Sequence, residues 1–417
     1  MRPLPHTQLT QDGLDTTGGR RPTPDFEPYT LHVFDLSYYS GKMQAYLAYK
    51  GIPHGVHEIT WLELARRIAP RTGLVEVPVV ERADGVLMRD STAMIEWFEQ
   101  RYPQASVLPD DPAAAYCCRL LEEYADEGLW RPAMYYRWAF KKDALLDARR
   151  FTEDFMKFPL TPPAVLRWTA RHRQQRAYLR GLGVTPENRG DVEQHYRDEL
   201  ADLEAVFRMR PFLFGERPSF ADFGYFASMF RHFSIDPTPA RIMRNEAPAV
   251  YEWVARLWNA RSERLGSGSW APLEDGGLPR GLAPLLARAA RRYLPLLHAN
   301  AKALAEGRRQ YSVALDGKQY PGLPVIAFQA WRRTVLQRDL AALDGDAAKV
   351  ARETLSRVGC LEWLERDGML RVDYPEGDRL PLCTPRSRSL IERLRFMIVG
   401  TPHHGGGAAG RPRTSND

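Results

Sequence analysis

The stretch Phe34–Ile52, FDLSYYSGKMQAYLAYKGI, places three adjacent hydroxyls, Ser37, Tyr38 and Tyr39, where an apolar run ends and a helical pattern begins. Such a helix start has N–H groups with no intrahelical partner and the positive end of the helix dipole. A hydroxyl beside it can donate a further hydrogen bond. Together they favour an anion, and a thiolate is one that must be made at neutral pH from a mostly protonated thiol. A second candidate is Asp90-Ser91, just ahead of another helical pattern in RDSTAMIEWFEQRYP. Ser91 can cap that helix, and its N–H and hydroxyl can bind a carboxylate. Asp90 can pair with an ammonium, so the two residues suit an amino-acid head group. Ser219-x-x-Asp222 reads instead as a structural capping box. Trp130, Met134, Tyr135, Tyr136 and Trp138 form an aromatic cluster that can serve as core or line an apolar pocket. His232 and the pair His403-His404 show no metal-ligand spacing, and no metal is expected.

The elements that must hold these residues follow from periodicity. Residues 29–34 read as a buried strand, residues 40–50 as a helix stopped by Gly51, and residues 54–59 as a second strand. Residues 61–68 are helical, Val77–Val80 and Val86–Met88 are strands joined by the Asp84-Gly85 turn, and a helix follows Ser91. From Ala113 to Arg264 the periodicity is helical throughout, clearest over Ala249–Asn259. Residues 266–281 are rich in Gly, Ser and Pro and read as a linker. Beyond them come helical residues 282–305 with a kink at Pro295, a hairpin turning at Asp316-Gly317, two more helices over 326–343 and 347–358, and a second hairpin over 369–382. Residues 1–28 and 401–417 read as tails, flexible and disordered respectively, leaving units at 29–108, 113–265 and 282–400.

Composition narrows the function classes. The 417 residues carry a formal charge of +6, but basic and acidic residues are interleaved and nearly all the basic ones are arginine, which disfavours a nucleic-acid partner. No run of apolar residues is long enough to span a membrane, and residues 1–28 lack the apolar region of a secretory signal. The four cysteines include no C-x-x-C and suit a reducing, cytoplasmic setting.

Four segments in order resemble the cytosolic glutathione transferase superfamily over roughly residues 29–265: the opening stretch with its LAYKGI helix end, EVPVV, RDSTAMIEWFEQRYP and FLFGERPSFADF. The resemblance implies an α/β thioredoxin-like domain, then an all-α transferase C-terminal domain. Here a mainly helical α+β extension follows, similar to that of a bacterial group within the superfamily. The resemblance further implies glutathione as co-substrate and a small apolar electrophile as partner. Counted back from the helix end, Ser37 matches the position of the family's catalytic Ser or Cys, which implies stabilisation of the glutathione thiolate. Tyr38 and Tyr39 stay as rivals, since either phenol can reach toward the same site. Pro78 matches the family's cis proline, which turns the Val77 backbone toward a peptide ligand. Asp90 and Ser91 match the γ-glutamyl position, where Asp is shorter than the family's usual Glu or Gln. Lys42 can meet the glycine carboxylate or stay a solvated helix lysine. The family is commonly dimeric, so a homodimer is open, although the extension can replace that interface. Two other readings stand beside the enzyme: a non-catalytic interaction module, and an enzyme of another small thiol.

Overall fold

The computed structural model describes residues 26–156, 162–266, 268–274, 277–370, 372, 374 and 376–383. The expected tail over 401–417, and all but the last three residues of 1–28, lie outside them. The first unit is a four-stranded sheet in the order β2-β1-β3-β4. Strand β1 (Tyr29–Val33) pairs parallel to β2 (His54–Glu58) and antiparallel to β3 (Val79–Glu81), and β3 pairs antiparallel to β4 (Leu87–Met88). Tyr29, Leu31, His32 and Val33 are all buried, as a central strand covered on both faces requires. Helix α1 (Tyr38–Lys50) starts at the Ser37 cap and ends at Gly51, whose φ of 66° suits glycine.

The helical unit packs against α1. Its helix Pro112–Glu123 continues into a π-helical turn, Tyr124–Gly128, and then the helix Trp130–Ala139. The helix Phe220–Ser228 crosses so closely that a Cβ on Gly224 would lie 2.8 Å from the Glu122 carbonyl oxygen. The capping box there is complete. Asp222 accepts from the Ser219 N–H (2.8 Å) and hydroxyl (2.6 Å), the Leu213 N–H (3.0 Å) and the Trp253 indole (3.1 Å).

The extension adds the helices Ala283–Arg292, Leu294–Ala305, Ala327–Ala341, Gly345–Arg357 and Cys360–Glu365, with the hairpin Gln310–Leu315/Lys318–Pro324. The kink expected at Pro295 is a break at Tyr293, and Pro295 opens the second helix, where its missing N–H costs little. The core runs without interruption from Leu31 and Phe223 into Leu285, Leu297 and Leu355. Polar contacts reinforce it: Tyr116 donates to the Leu336 carbonyl at 3.1 Å, and Arg292 grips Asp191 at 2.8 and 2.9 Å. The expected hairpin over 369–382 is a correction. Arg371, Asp373 and Pro375 of that segment lie outside the described residues; among the described ones no strand pairs within it, Gly377–Arg379 forms a tight turn, and Leu382 pairs with Met88 at the β4 edge. The Arg89 N–H donates to the Pro381 carbonyl (3.0 Å) and the Cys383 N–H to the Leu87 carbonyl (2.9 Å), which satisfies an otherwise open sheet edge.

Lys42 is a second correction. It is 0% exposed, and its three ammonium protons go to Glu122 (2.5 Å), Asp126 (2.6 Å) and Thr92 (3.2 Å). None remains for a glycine carboxylate. Burial alone would lower its pKa, but Asp126 and Glu122 outweigh it and hold the group above the ordinary lysine value. This cluster joins α1 to the helix Pro112–Glu123 and the turn after it. Removing one partner of a buried ion pair leaves charges without compensation. Lys42→Met should therefore destabilise the fold by about 3–5 kcal/mol in chemical denaturation; a loss below about 1 kcal/mol would show that the cluster is not a structural clasp.

Asp222 gives a pH prediction. Burial, only partly offset by Ser219, Leu213 and Trp253, pushes its carboxyl up to about 6 from 3.8. The folded value is the higher one, so its contribution to stability is full below 3.8 and fades as pH rises through about 6. The stability gap between the wild type and Asp222→Asn should narrow between pH 4 and pH 7 in urea titrations. A gap that widens over that range contradicts the assignment.

Candidate active site

The loop before α1 is built as a tight turn. The Ser37 N–H donates to the Phe34 carbonyl at 2.8 Å, and Ser40 Oγ accepts from the Phe34 N–H at 3.3 Å. Ser37 Oγ accepts from the Ser40 N–H and donates to the Val77 carbonyl, both at 3.3 Å. These are long for a hydroxyl, so the Oγ is only loosely held. The Val77-Pro78 bond is cis, as the resemblance implies.

Two cavities meet at this point. The larger, of about 400 Å³, has Ser37 and Val77 on its wall with Trp61, Trp130, Trp138 and Phe151. The smaller, of about 50 Å³, is walled by Val77, Pro78, Arg89, Asp90, Ser91 and Arg332. Tyr39, Glu76 and Val77 border both. Ser37, Val77, Pro78, Asp90 and Ser91 thus lie along one seam, whereas Lys42 lies beneath it in the core.

Asp90 has φ 71° and ψ 108°, a conformation that costs a non-glycine residue roughly 1–3 kcal/mol and concentrates at functional sites. Asp90 itself, and not Ser91, caps the helix Ser91–Arg101. Its Oδ1 accepts from the Ala93 N–H at 3.0 Å. Ser91 is the first helical residue, buried at the cavity wall.

Both phenols are engaged. Tyr38 is 1% exposed and donates to the Ala125 carbonyl at 2.8 Å. Tyr39 donates to Glu127 Oε1 at 3.0 Å, with the Asp126 carbonyl at 3.4 Å. Burial, and then the nearby acids, raise both phenols well above the ordinary tyrosine value. The π-helical turn supplies these acceptors, since its wider winding presents carbonyls that a regular helix would use internally. Tyr38 therefore touches the cavity with its ring while its hydroxyl points into protein. Of the three adjacent hydroxyls Ser37, Tyr38 and Tyr39, Ser37 is the least tightly held.

The floor of the larger cavity is a buried charge network. Arg137 donates to both oxygens of Asp236 at 2.9 Å, to the Leu36 carbonyl at 3.0 Å, and to His232 Nε2 at 2.9 Å. His232 is an acceptor there, hence neutral, and burial together with Arg137 depresses its pKa well below the ordinary range. Burial pushes Asp236 up to about 7 against the pull of Arg137. Through the Leu36 carbonyl, this network fixes the turn that carries Ser37. Of the aromatic cluster read from the sequence, Trp130, Met134 and Trp138 line the cavity. Their spacing of four puts them on one helical face, a signal available from the sequence. Tyr135 and Tyr136 face away, Tyr135 bonding Glu193 and Tyr136 packing on Tyr196. Sequence reasoning missed Glu76, Arg89, Arg137, Phe328 and Arg332, and the last two lie on the extension helix Ala327–Ala341. Among the described residues no group of three or more His, Cys, Asp or Glu could hold a metal, and no helix is long and apolar enough to cross a membrane.

Residues 31–106 match the model of the glutathione S-transferase N-terminal domain, and residues 189–260 match that of the C-terminal domain. No protein of curated function matches the sequence significantly. Among solved structures, a glutathione S-transferase from Methylobacterium radiotolerans, in complex with glutathione sulfonate, is 20% identical; the match covers 55% of this chain and 90% of that one at a TM-score of 0.36. A beta-etherase from Sphingobium sp. strain SYK-6 is 18% identical, covering 57% and 98% at a TM-score of 0.41. A glutathione S-transferase from Rhodospirillum rubrum is 22% identical, covering 62% and 99% at a TM-score of 0.37. With a thioredoxin-like sheet followed by the helical domain, and both domain models matched in that order, the chain carries the N- and C-terminal domains of the glutathione S-transferases, with residues 282 onward outside both matches.

Proposed function

We propose that the protein is a glutathione-dependent transferase that uses Ser37 to ionise the thiol. In this reading the Val77 backbone pairs with the cysteinyl unit, as family members do beside their cis proline. Asp90 and Ser91 hold the γ-glutamyl head, and the sulfur rests at the start of α1. The observation that carries the reading is the position of Ser37 Oγ, 3.3 Å from the Val77 carbonyl at the seam of the two cavities. When a thiolate arrives, the hydroxyl can turn from that carbonyl to the sulfur, and the first N–H groups of α1 add their dipole. The larger cavity, walled by three tryptophans and three phenylalanines, would take an apolar electrophile next to the sulfur. The thiolate then adds to the electrophile or displaces a leaving group from it. A reducing, cytoplasmic setting belongs to this proposal, and so does a homodimer, although the extension already covers much of the helix Pro112–Glu123.

One observation favours the non-catalytic reading: Phe328 and Arg332 narrow the smaller cavity from the extension side. Binding decides between the two, since a module with a closed cleft would not bind glutathione at millimolar concentration. A charge-assisted hydrogen bond contributes ~1.5–3 kcal/mol, equal to about one to two pH units of thiol ionisation. Ser37→Ala should therefore lower kcat/KM with chlorodinitrobenzene about 10- to 100-fold at pH 7 and move the pH–rate profile to higher pH by that amount. An equal loss at every pH would mean that Ser37 shapes the site without ionising the thiol.

A further inference from the structure

The reading of the smaller cavity as a γ-glutamyl subsite leaves one wall unexplained. The helix Ala327–Ala341 sets Phe328 and Arg332 against Pro78, Asp90 and Ser91. The polar groups around this cavity are mostly spent. Asp126 is bound to Lys42 through Oδ2, with Oδ1 left without a hydrogen bond among the described residues, and Glu127 accepts from Tyr39. Glu123 accepts from Tyr293 at 2.6 Å on one oxygen and from Arg332 Nε at 2.6 Å on the other, with Arg332 Nη2 against the same oxygen. Both donors to Glu123 come from the extension, and together they hold the Arg332 guanidinium in one orientation. Arg332 is 7% exposed, its Nε and Nη2 are on Glu123, no hydrogen bond of its Nη1 is found among the described residues, and the Asp90 carboxylate lies within its electrostatic reach. On the opposite wall, Asp90 uses Oδ1 for its helix cap, and Oδ2 accepts no hydrogen bond among the described residues. Asp90 Oδ2 and Arg332 Nη1 therefore belong to a cavity whose wall also carries the Arg89 guanidinium, the buried oxygens Glu76 Oε1 and Asp126 Oδ1, and the start of the helix Ser91–Arg101.

We propose that the extension completes the thiol-substrate site. Arg332 takes the α-carboxylate of the γ-glutamyl head alongside Ser91, Asp90 takes the α-ammonium, and Phe328 walls the head group from solvent. The preferred class of co-substrate is then a thiol bearing a free, zwitterionic α-amino-acid head. Arg332 acts as a specificity residue contributed from outside the two-domain transferase unit. The planar guanidinium suits a carboxylate, and in this buried setting such a contact is worth about a 10- to 100-fold change in affinity.

The test compares two ligands on the full chain by isothermal titration: glutathione, and its analogue in which the γ-glutamyl α-carboxylate is an amide. Wild type should prefer glutathione by about 10- to 100-fold. Arg332→Gln should bind the two alike, and Arg332→Lys should restore part of the preference. A merely structural arginine would weaken both ligands equally and leave the ratio intact. That outcome, with wild type still binding glutathione, overturns this inference alone. If wild type binds no glutathione at millimolar concentration, the proposed function fails and this inference with it. Should Arg332→Gln not fold, crystals of wild type soaked with glutathione decide the matter. An α-carboxylate within hydrogen-bond distance of Arg332 supports the proposal, and a head group bound away from it overturns it.

Discussion

The buried ammonium of Lys42 is the contact on which the geometry of the site depends. It lies on α1, and its three donors end on Thr92, at the start of the helix Ser91–Arg101, and on Glu122 and Asp126 of the helical domain. A cation taken out of water in this way is tolerable only with partners in good geometry. The three elements that border the cleft are consequently held in one relative position. Ser37 stands just before the first turn of α1, Asp90 and Ser91 just before Thr92, and Tyr39 reaches Glu127 directly after Asp126. A shift of α1 would break the ion cluster and separate Ser37 from Val77 together. The Arg137 network does the same from the other side by holding the Leu36 carbonyl.

The extension belongs to this arrangement and is not an appendage. Its apolar residues share one core with the transferase domains, and its last described residues pair with the β4 edge. The Tyr293–Glu123–Arg332 triad brings its charge to the cleft wall. The polar face of the helix Pro112–Glu123 is therefore met within the same chain, by residues far away in sequence. The site draws on all three regions: the turn and helix start from the first, the π-helical turn and aromatic face from the second, and one cation from the third.

Much of this was legible in the sequence. The order of elements around the sheet, the Gly51 stop, the Asp316-Gly317 hairpin and the Ser219–Asp222 box all rest on local rules, with periodicity and caps acting over a few residues. The misreadings share a cause. Asp90 and Ser91 are both good caps, and the positive φ that decides for Asp90 has no signature in a residue that is not glycine. Lys42 reads as a contact to the glycine carboxylate or a solvated lysine because its acidic partners arrive 80 and 84 residues later. Tyr38 and Tyr39 read as rivals to Ser37 because the carbonyls that engage them come from the distant π-helical turn. Residues 369–382 alternate and turn like a hairpin, yet a distant strand edge gives Leu382 a partner that no local pattern reveals. Arg332 lies beyond any local rule, since Glu123 is 209 residues away.

The central claim is that the protein holds a thiol in its ionised form at the start of α1. The direct measurement is the ultraviolet thiolate absorbance of bound glutathione as a function of pH, taken as the difference between complex and free components. The account predicts that the bound thiol ionises about one to two pH units below the free one, whose ordinary value is about 8.5. A bound thiol that titrates with the free one, or above it, would contradict the account.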